Sequence, residues 1–243
     1  MTNDEILYGK LKLWQPDKGP RVSMDTVLLA DYVRLRPRAR LSSFIELGAA
    51  TGAVSLMLAL RFPEKFSVLG IEIQPELEEM AHRNRSENGF GDNVSFRCMD
   101  LRDYKTFTPG AFDGVVVNPP YEETGRGRRS PSESLSIARQ SDCCTTTDVM
   151  NASKWLLNNK GRFFAVFRAD RMAEFLALMR SVAIEPKRLK LVYPMQGKSA
   201  GLFLVEGLKG GGLGLKIEPP LFVTDENGQY TDALLRAYEV QRN

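Results

Sequence analysis

The stretch Glu46-Leu47-Gly48-Ala49-Ala50-Thr51-Gly52-Ala53 joins a short apolar segment, 43–47, to a segment of helical apolar spacing, 54–61. A strand that turns into a helix through small residues is typical of nucleotide-binding α/β folds. Glycine lets a ligand approach the backbone, and the start of the helix offers free N–H groups. A dinucleotide fingerprint needs Gly-x-Gly-x-x-Gly, whereas three residues separate Gly48 from Gly52. This spacing disfavours a nicotinamide-dependent oxidoreductase.

The alternation of strand and helix continues beyond this turn. Apolar segments of strand length lie at 43–47, 66–71, 93–98, 114–117, 161–167, 188–193 and 201–206. Helical spacing separates most of them, at 54–61, 75–88, 147–157 and 171–181, and a last helix is predicted at 232–240. This order predicts a Rossmann-like, doubly wound α/β fold with a mostly parallel seven-stranded sheet. The last two strands have no helix between them, so we expect an antiparallel hairpin at the sheet edge.

The first 40 residues differ from this pattern. Residues 6–22 alternate around Pro16-Asp17-Lys18-Gly19, which predicts a hairpin, and 24–35 has helical spacing that Pro37 ends. We therefore expect an N-terminal arm, 1–40, followed by one α/β domain, 41–243.

Composition excludes several classes of protein. The chain has 243 residues, 43% hydrophobic and 26% charged, with a formal net charge of +3, which is typical of a folded globular protein. Three cysteines, two of them adjacent, do not predict a disulfide framework, and the acidic start does not resemble a signal peptide. One histidine, His82, excludes a His-rich metal site, and no apolar run reaches the ~18 residues of a membrane span. We expect a cytoplasmic protein without a metal or membrane partner, and the oligomeric state stays open.

Two acidic residues follow the next two strands after the glycine-rich turn. Glu72 ends the second sheet strand, 20 residues after Gly52, and Asp100 follows the third. A carboxylate at the first position accepts the hydroxyls of a ribose in this fold class. A carboxylate at the second is placed to accept from the amino group of an adenine. Together they predict a nucleoside cofactor.

The most specific motif follows the fourth strand, in Val115-Val116-Val117-Asn118-Pro119-Pro120-Tyr121. Two prolines cannot extend the strand, because neither has an N–H to donate, and they hold the chain in one rigid turn. The Asn118 side chain and the Pro119 carbonyl are then placed to accept from one amino group. Tyr121 offers a flat ring on which a planar substrate can stack.

With these motifs the sequence resembles the class I S-adenosylmethionine-dependent methyltransferases that act on planar amino or amide nitrogens. Within that class it is similar to the bacterial tRNA (adenine-N6) methyltransferases that modify valine tRNA beside the anticodon. That similarity rests on segments along nearly the whole chain: Gln15 to Ala30, Gly127-x-x-Ser130-Pro131, Glu185 to Leu189 and Pro219-Pro220-Leu221. The chain departs from the family at Ala50, where glycine is usual, and at Gln140-Ser141, where a His-Glu pair is usual.

The resemblance implies a role for each motif in a methyltransferase domain spanning 41–243. It implies S-adenosylmethionine as cofactor, bound by Asp25, Thr26, Glu46, Gly48, Gly52, Glu72 and Asp100. Glu72 would take the ribose and Asp100 the adenine of the cofactor. Catalysis would rest on Asn118, Pro119 and Tyr121, which hold the acceptor amine for in-line attack.

Local charge indicates the partner. Arg126, Arg128 and Arg129 lie in a segment without acidic residues, and residues 180–200 carry a further local excess of positive charge. Positive segments beside a base pocket suit a phosphate backbone. We therefore expect tRNA as the partner and the three arginines as its contacts.

Alternatives stay open at this point. The Asn-Pro-Pro-Tyr motif also suits a guanine N2 in ribosomal RNA, a DNA adenine or a protein glutamine amide. The chain has no separate helical recognition domain and no large target-recognition domain, which argues against the glutamine and DNA substrates. A non-catalytic RNA-binding protein on a methyltransferase fold is the alternative from another class. Intact Glu72, Asp100 and Asn118 count against it.

Overall fold

The computed structural model describes residues 1–35, 41–119 and 144–239. A hairpin of β1 (Thr2–Ile6) and β2 (Leu11–Gln15) opens the chain, followed by helix α1 (Met24–Tyr32). The remaining elements are β3 (Ser42–Leu47), α2 (Ala53–Arg61), β4 (Phe66–Glu72), α3 (Pro75–Glu87), β5 (Val94–Cys98), β6 (Phe112–Val117), α4 (Thr146–Leu156), β7 (Leu157–Arg168), α5 (Met172–Ser181), β8 (Ile184–Tyr193), β9 (Leu202–Lys209), β10 (Lys216–Ile217), β11 (Leu221–Phe222) and α6 (Asp232–Tyr238).

The central sheet has the order β10-β8-β9-β7-β6-β3-β4-β5, and β11 also pairs with β8. Strands β5, β4, β3, β6 and β7 run parallel, while β9 is antiparallel to both β7 and β8. The predicted doubly wound fold and its antiparallel β8–β9 hairpin are confirmed. The sheet of the described residues has nine strands, however, not seven. The two additional strands are two residues each, too short to leave a pattern in the sequence.

The predicted turn of the N-terminal hairpin was wrong. The chain reverses between Ile6 and Leu11, and Pro16 to Gly19 follow the second strand. Leu7 and Tyr8 both adopt left-handed backbone angles, with φ of +52° and +55°. Residues other than glycine, asparagine and aspartate rarely adopt this conformation, so neither Leu7 nor Tyr8 signals a turn, and Gly9, with a φ of +78°, is the residue of the turn that does. The buried Leu7 side chain anchors this turn in the core.

Hydrophobic side chains fill both faces of the sheet. On one face α1, α2 and α6 pack with Leu7, Leu11 and Leu13 of the hairpin region in a single cluster. On the other face α4 and α5 cover Ile45, Val115 and Phe163 in a second cluster. The hairpin thus shares the core of the sheet domain. The domain boundary at residues 40 and 41 stays a prediction, because 36–40 lie outside the described ranges.

No helix in the described parts of the chain is both long and apolar enough to cross a membrane.

Gly114 in β6 leaves room for the aromatic ring of Phe44, so a substitution there tests the packing of the sheet. A Cβ at this position would lie 2.4 Å from the Phe44 ring, which is itself stacked against Phe164 at a centroid distance of 6.1 Å. We expect Gly114→Ala to lower the free energy of unfolding by about 1–3 kcal/mol, because a crowded core must shift to admit the methyl group. Chemical denaturation measures this. Gly212→Ala is the matched control, since nothing lies within 4 Å of its Cβ position, and an equal effect of the two changes would contradict the account.

Candidate active site

Three neighbouring strands end together at the carboxyl edge of the sheet. Leu47 of β3 pairs in register with Ile71 of β4 and with Val117 of β6. The next residue on each strand is Gly48, Glu72 or Asn118. The parallel register therefore brings three of the predicted site residues into one row, although 70 residues of sequence separate the first from the last.

The loop after β3 is held close to the neighbouring strand. The N–H groups of Gly48 and Ala49 both donate to the Ile71 carbonyl, each at 2.9 Å. Gly48, Ala50 and Gly52 adopt left-handed φ angles of +75°, +46° and +80°. Gly48 is exposed, and nothing lies within 4 Å of the position that a Cβ would take, so the backbone is open to a ligand there.

Gly52 is required for a different reason. A Cβ at this residue would lie 2.5 Å from the Phe96 ring. Gly52 also forms the N-cap of α2, so the start of that helix can pack closely against β5 only without a side chain. Of the two predicted glycines, Gly48 faces open space, and Gly52 allows the start of α2 to pack against Phe96 of β5.

Glu72, at the end of the neighbouring strand β4, holds this loop by a hydrogen bond. Its Oε2 accepts a hydrogen bond from the Ala50 N–H at 2.9 Å, and its Oε1 accepts from the Gln74 N–H at 3.0 Å. The residue is 6% exposed. Oε1 also accepts from the Gln74 Nε2 at 3.4 Å, so the acceptor capacity that Glu72 retains for a hydroxyl group is on Oε2. The carboxylate thus shapes the loop and can still meet a ribose.

The Glu46 side chain is buried against helix α2 and is not exposed at the loop. The carboxylate is buried, and its Oε2 accepts from the Ser55 N–H at 2.9 Å and from the Ser55 hydroxyl at 2.5 Å. Burial raises the pKa of Glu46 to about 8, against the opposing effect of these hydrogen bonds. These contacts tie β3 to the first turn of α2, and Ser55 is a contributor that the sequence did not single out. A direct contact of Glu46 with a cofactor stays a prediction.

Asp100 lies two residues beyond Cys98, which pairs with Glu72 across β4 and β5. Its carboxylate accepts from the Arg102 N–H at 2.8 Å and from the Arg102 guanidinium. These hydrogen bonds hold the pKa of Asp100 below its usual range. The side chain is therefore fixed as an anion at the same edge as Glu72.

Asn118 and Pro119 complete the described part of the edge. Asn118 is half-buried and Pro119 is buried. No residue within the described ranges forms a hydrogen bond with the Asn118 side chain, in contrast to Glu46, Glu72 and Asp100. Tyr121, Arg126, Arg128 and Arg129 lie outside the described residues, so their roles stay predictions.

Asp25 and Thr26 belong to the first turn of α1. The Thr26 hydroxyl accepts from the Ser23 N–H at 3.3 Å, as part of a capping box at the helix start. The described contact of Thr26 is thus with its own helix, and a cofactor contact of either residue stays a prediction. Across 1–35, 41–119 and 144–239 there is no group of three or more His, Cys, Asp or Glu side chains that could hold a metal ion.

Comparison with known proteins identifies the family. A methyltransferase domain model matches residues 44–126. A protein named tRNA1(Val) (adenine(37)-N6)-methyltransferase from a Flavobacteriaceae bacterium is 32% identical over 201 residues, which cover 76% of this chain and 82% of the relative. This chain belongs to the family of the tRNA1(Val) (adenine(37)-N6)-methyltransferases. A relative of the same name from Bacteroides fragilis is 27% identical over 198 residues, or 81% of each chain.

A solved structure supports the fold of this methyltransferase. The crystal structure of a predicted O-methyltransferase from Agrobacterium tumefaciens has a TM-score of 0.68 at 21% identity, covering 90% of this chain and 99% of that one. A geranyl diphosphate methyltransferase solved in complex with S-adenosylmethionine has a TM-score of 0.55 at 16% identity, covering 76% and 84%. Likeness at such low identity concerns the fold alone.

The edge residues fit the cofactor of this family, S-adenosylmethionine. The backbone is open at Gly48, and Oε2 of the buried Glu72 carboxylate has one lone pair left for a further hydrogen bond. Asp100 supplies a second fixed anion along the same edge. Free N–H groups at a helix start suit the carboxylate of the methionine portion, and two acceptor carboxylates suit the hydroxyl and amino groups of its nucleoside.

The buried Glu46 makes stability depend on pH. Its folded pKa of about 8 lies above its ordinary value of 4.5, so between these values the folded protein holds a proton that the unfolded chain has released. Stability contributed by this group is therefore lost as pH rises through the window, by about 1.4 kcal/mol per pH unit. We expect Glu46→Gln, which cannot titrate, to lack this contribution.

Urea denaturation at several pH values within the window measures the effect. The difference in unfolding free energy between Glu46→Gln and wild type should grow in favour of the variant as pH rises. Glu226→Gln, at an exposed position, should follow the wild-type profile. Parallel pH profiles for Glu46→Gln and wild type would show that Glu46 is ionised in the folded protein.

Proposed function

We propose that this protein transfers the methyl group of S-adenosylmethionine to N6 of an adenine in tRNA, and that the base is adenine 37 of a valine tRNA, as the names of its relatives state. The observation that carries the proposal is the position of Asn118 in one row with Gly48 and Glu72. The Asn118 side chain, which can accept a hydrogen bond from an amine, then lies next to a nucleoside-binding loop at one edge of the sheet.

Asn118 and Pro119 have the groups needed to activate an amine. The lone pair of an adenine amino nitrogen is delocalised into the ring, which makes the nitrogen a poor nucleophile. If the Asn118 Oδ1 and the Pro119 carbonyl accept its two hydrogens, the nitrogen can become pyramidal and its lone pair is freed. Buried Pro119 has a fixed φ, which limits how far its carbonyl can turn relative to the Asn118 backbone. Positioning and electrostatics then supply the catalysis.

S-adenosylmethionine supplies a methyl group on a positively charged sulfur. The amino nitrogen would form a bond to the methyl carbon as the sulfur–carbon bond breaks, S-adenosylhomocysteine would be the leaving group, and the nitrogen would then release one proton to water. No histidine base is needed, because the nitrogen loses its proton only after the methyl group is transferred. The only histidine, His82, lies on α3, where its Nε2 is 3.0 Å from the Glu78 carboxylate.

The remaining site residues enter the proposal on their sequence pattern and placement. We assign Glu72 to the ribose of the cofactor, Asp100 to its adenine, and Gly48 to its methionine portion. Tyr121 would stack on the acceptor base, and Arg126, Arg128 and Arg129 would contact phosphates of the tRNA. Because tRNA is processed in the bacterial cytoplasm, we propose that compartment for the protein.

The test is methyl transfer from isotopically labelled S-adenosylmethionine to unmodified tRNA and, in parallel reactions, to ribosomal RNA, DNA and protein, followed by digestion and mass analysis of the nucleosides and amino acids. We expect labelled N6-methyladenosine. Label in guanosine, in DNA adenine or in a protein amide, with none in tRNA adenosine, would assign the acceptor to one of the alternatives. No transfer to any of these acceptors would favour a non-catalytic RNA-binding protein.

Asn118→Ala should lower the turnover number in this assay by ~10²-fold or more, because it removes a hydrogen-bond acceptor needed in the transition state. The affinity for S-adenosylhomocysteine, measured by calorimetry, should stay close to that of wild type. Asn227→Ala, at an exposed position, controls for the loss of an asparagine side chain. Near-normal turnover of the Asn118 variant would refute the proposed role.

A further inference from the structure

Asn84 of helix α3 and Asn88, the residue at the C-terminal cap of that helix, hold the N-terminal hairpin from positions four residues apart. The Asn84 Oδ1 accepts from the Trp14 N–H at 2.7 Å, and its Nδ2 donates to the Trp14 carbonyl at 3.0 Å. The Asn88 Oδ1 accepts from the Lys12 N–H at 3.0 Å, and its Nδ2 donates to the Lys12 carbonyl at 2.7 Å. Each side-chain amide thus pairs with both backbone groups of one β2 residue.

The spacing of the two elements explains this fit. Four residues of helix rise by about 6 Å, and two residues of strand span about 6.6 Å. Asn84 therefore matches Trp14 and Asn88 matches Lys12, and the N–H and carbonyl groups of these two β2 residues face the edge that does not pair with β1. The two side chains take the place of a neighbouring strand.

Only Asn84 also reaches the cofactor loop. Its Nδ2 donates a second hydrogen bond, to the Thr51 carbonyl, at 3.0 Å. Asn84 is fully buried, so both amide hydrogens and its oxygen are satisfied inside the protein. Asn88 has its second contact with the Asn84 carbonyl of its own helix, at 2.8 Å.

Thr51 lies between Ala50 and Gly52, two of the three left-handed residues of the loop. The Ala50 N–H is fixed by Glu72, and the Thr51 carbonyl is fixed by Asn84. The loop is therefore held at two successive residues from two different elements. Without Asn84 the buried Thr51 carbonyl would lose its side-chain partner, and the peptide that follows Thr51 would be held only by its N–H group, which donates from Gly52 to the Ala49 carbonyl at 2.7 Å.

We propose that Asn84 is a positioning residue for the cofactor loop, and that it couples docking of the N-terminal hairpin to S-adenosylmethionine binding. The inference rests on the proposed function only in taking Gly48 to Gly52 as the loop that binds the cofactor. Such coupling is reciprocal, so cofactor binding must stabilise the docked hairpin as much as docking favours the cofactor.

Calorimetric titration of the full chain with S-adenosylhomocysteine tests this, with Asn88→Ala as the matched control. Both alanine variants remove two hydrogen bonds from β2, but only Asn84→Ala also releases Thr51. We expect the dissociation constant to rise ~10-fold in Asn84→Ala and to stay within about twofold in Asn88→Ala. Asn84→Ser, which keeps a hydroxyl donor, should fall between wild type and Asn84→Ala.

A second measurement needs no variant. In wild type, saturating S-adenosylhomocysteine should slow hydrogen exchange of the Trp14 amide, which donates to Asn84, more than that of the Lys12 amide, which donates to Asn88. Equal affinities of Asn84→Ala and Asn88→Ala for the nucleoside would overturn the proposal, as would equal protection of the two amides. If wild type binds no S-adenosylhomocysteine, the cofactor assignment and this coupling both fail, whereas binding without the predicted differences refutes the coupling alone.

Discussion

The hydrogen bond from the Ala50 N–H to the Glu72 carboxylate is the contact on which the site depends. It closes the loop after β3 onto the end of β4, 22 residues further along the chain. Ala50 must adopt a left-handed φ of +46° to make this bond, a conformation that costs an alanine about 1 kcal/mol and a glycine little. The hydrogen bond thus offsets the conformational cost at Ala50, where glycine is usual in the family. It also orients the Glu72 carboxylate beside the open backbone at Gly48.

The fold was largely predictable because it follows from local patterns. The glycine-rich turn, the strands at 66–72 and 112–117, and Pro75 at the first turn of α3 all leave signals within a few residues. The hairpin turn left only Gly9 as a signal, since Leu7 and Tyr8 are residues that seldom adopt their backbone angles. The strands at 216–217 and 221–222 are defined by pairing with β8, not by their own composition.

The site was predictable only in part, for a related reason. Residues at the ends of parallel strands can be placed from the sequence, because the sheet brings those ends together, and the row of Gly48, Glu72 and Asn118 follows that rule. Ser55 and Asn84 were missed because their roles depend on side-chain contacts over 9 and 33 residues. A serine and an asparagine within helices have no pattern that distinguishes such contacts from exposure to solvent. The direction in which Glu46 points likewise depends on its buried contact with Ser55, which no sequence pattern indicates.

The central claim is that Glu72 both holds the cofactor loop and meets the cofactor, while Asn118 serves only the acceptor. Calorimetry of S-adenosylhomocysteine binding to Glu72→Ala, beside wild type, tests this most directly. The account predicts at least a ~10-fold loss of affinity, the effect of removing a charged hydrogen-bond acceptor from a buried position. Wild-type affinity in Glu72→Ala would contradict it.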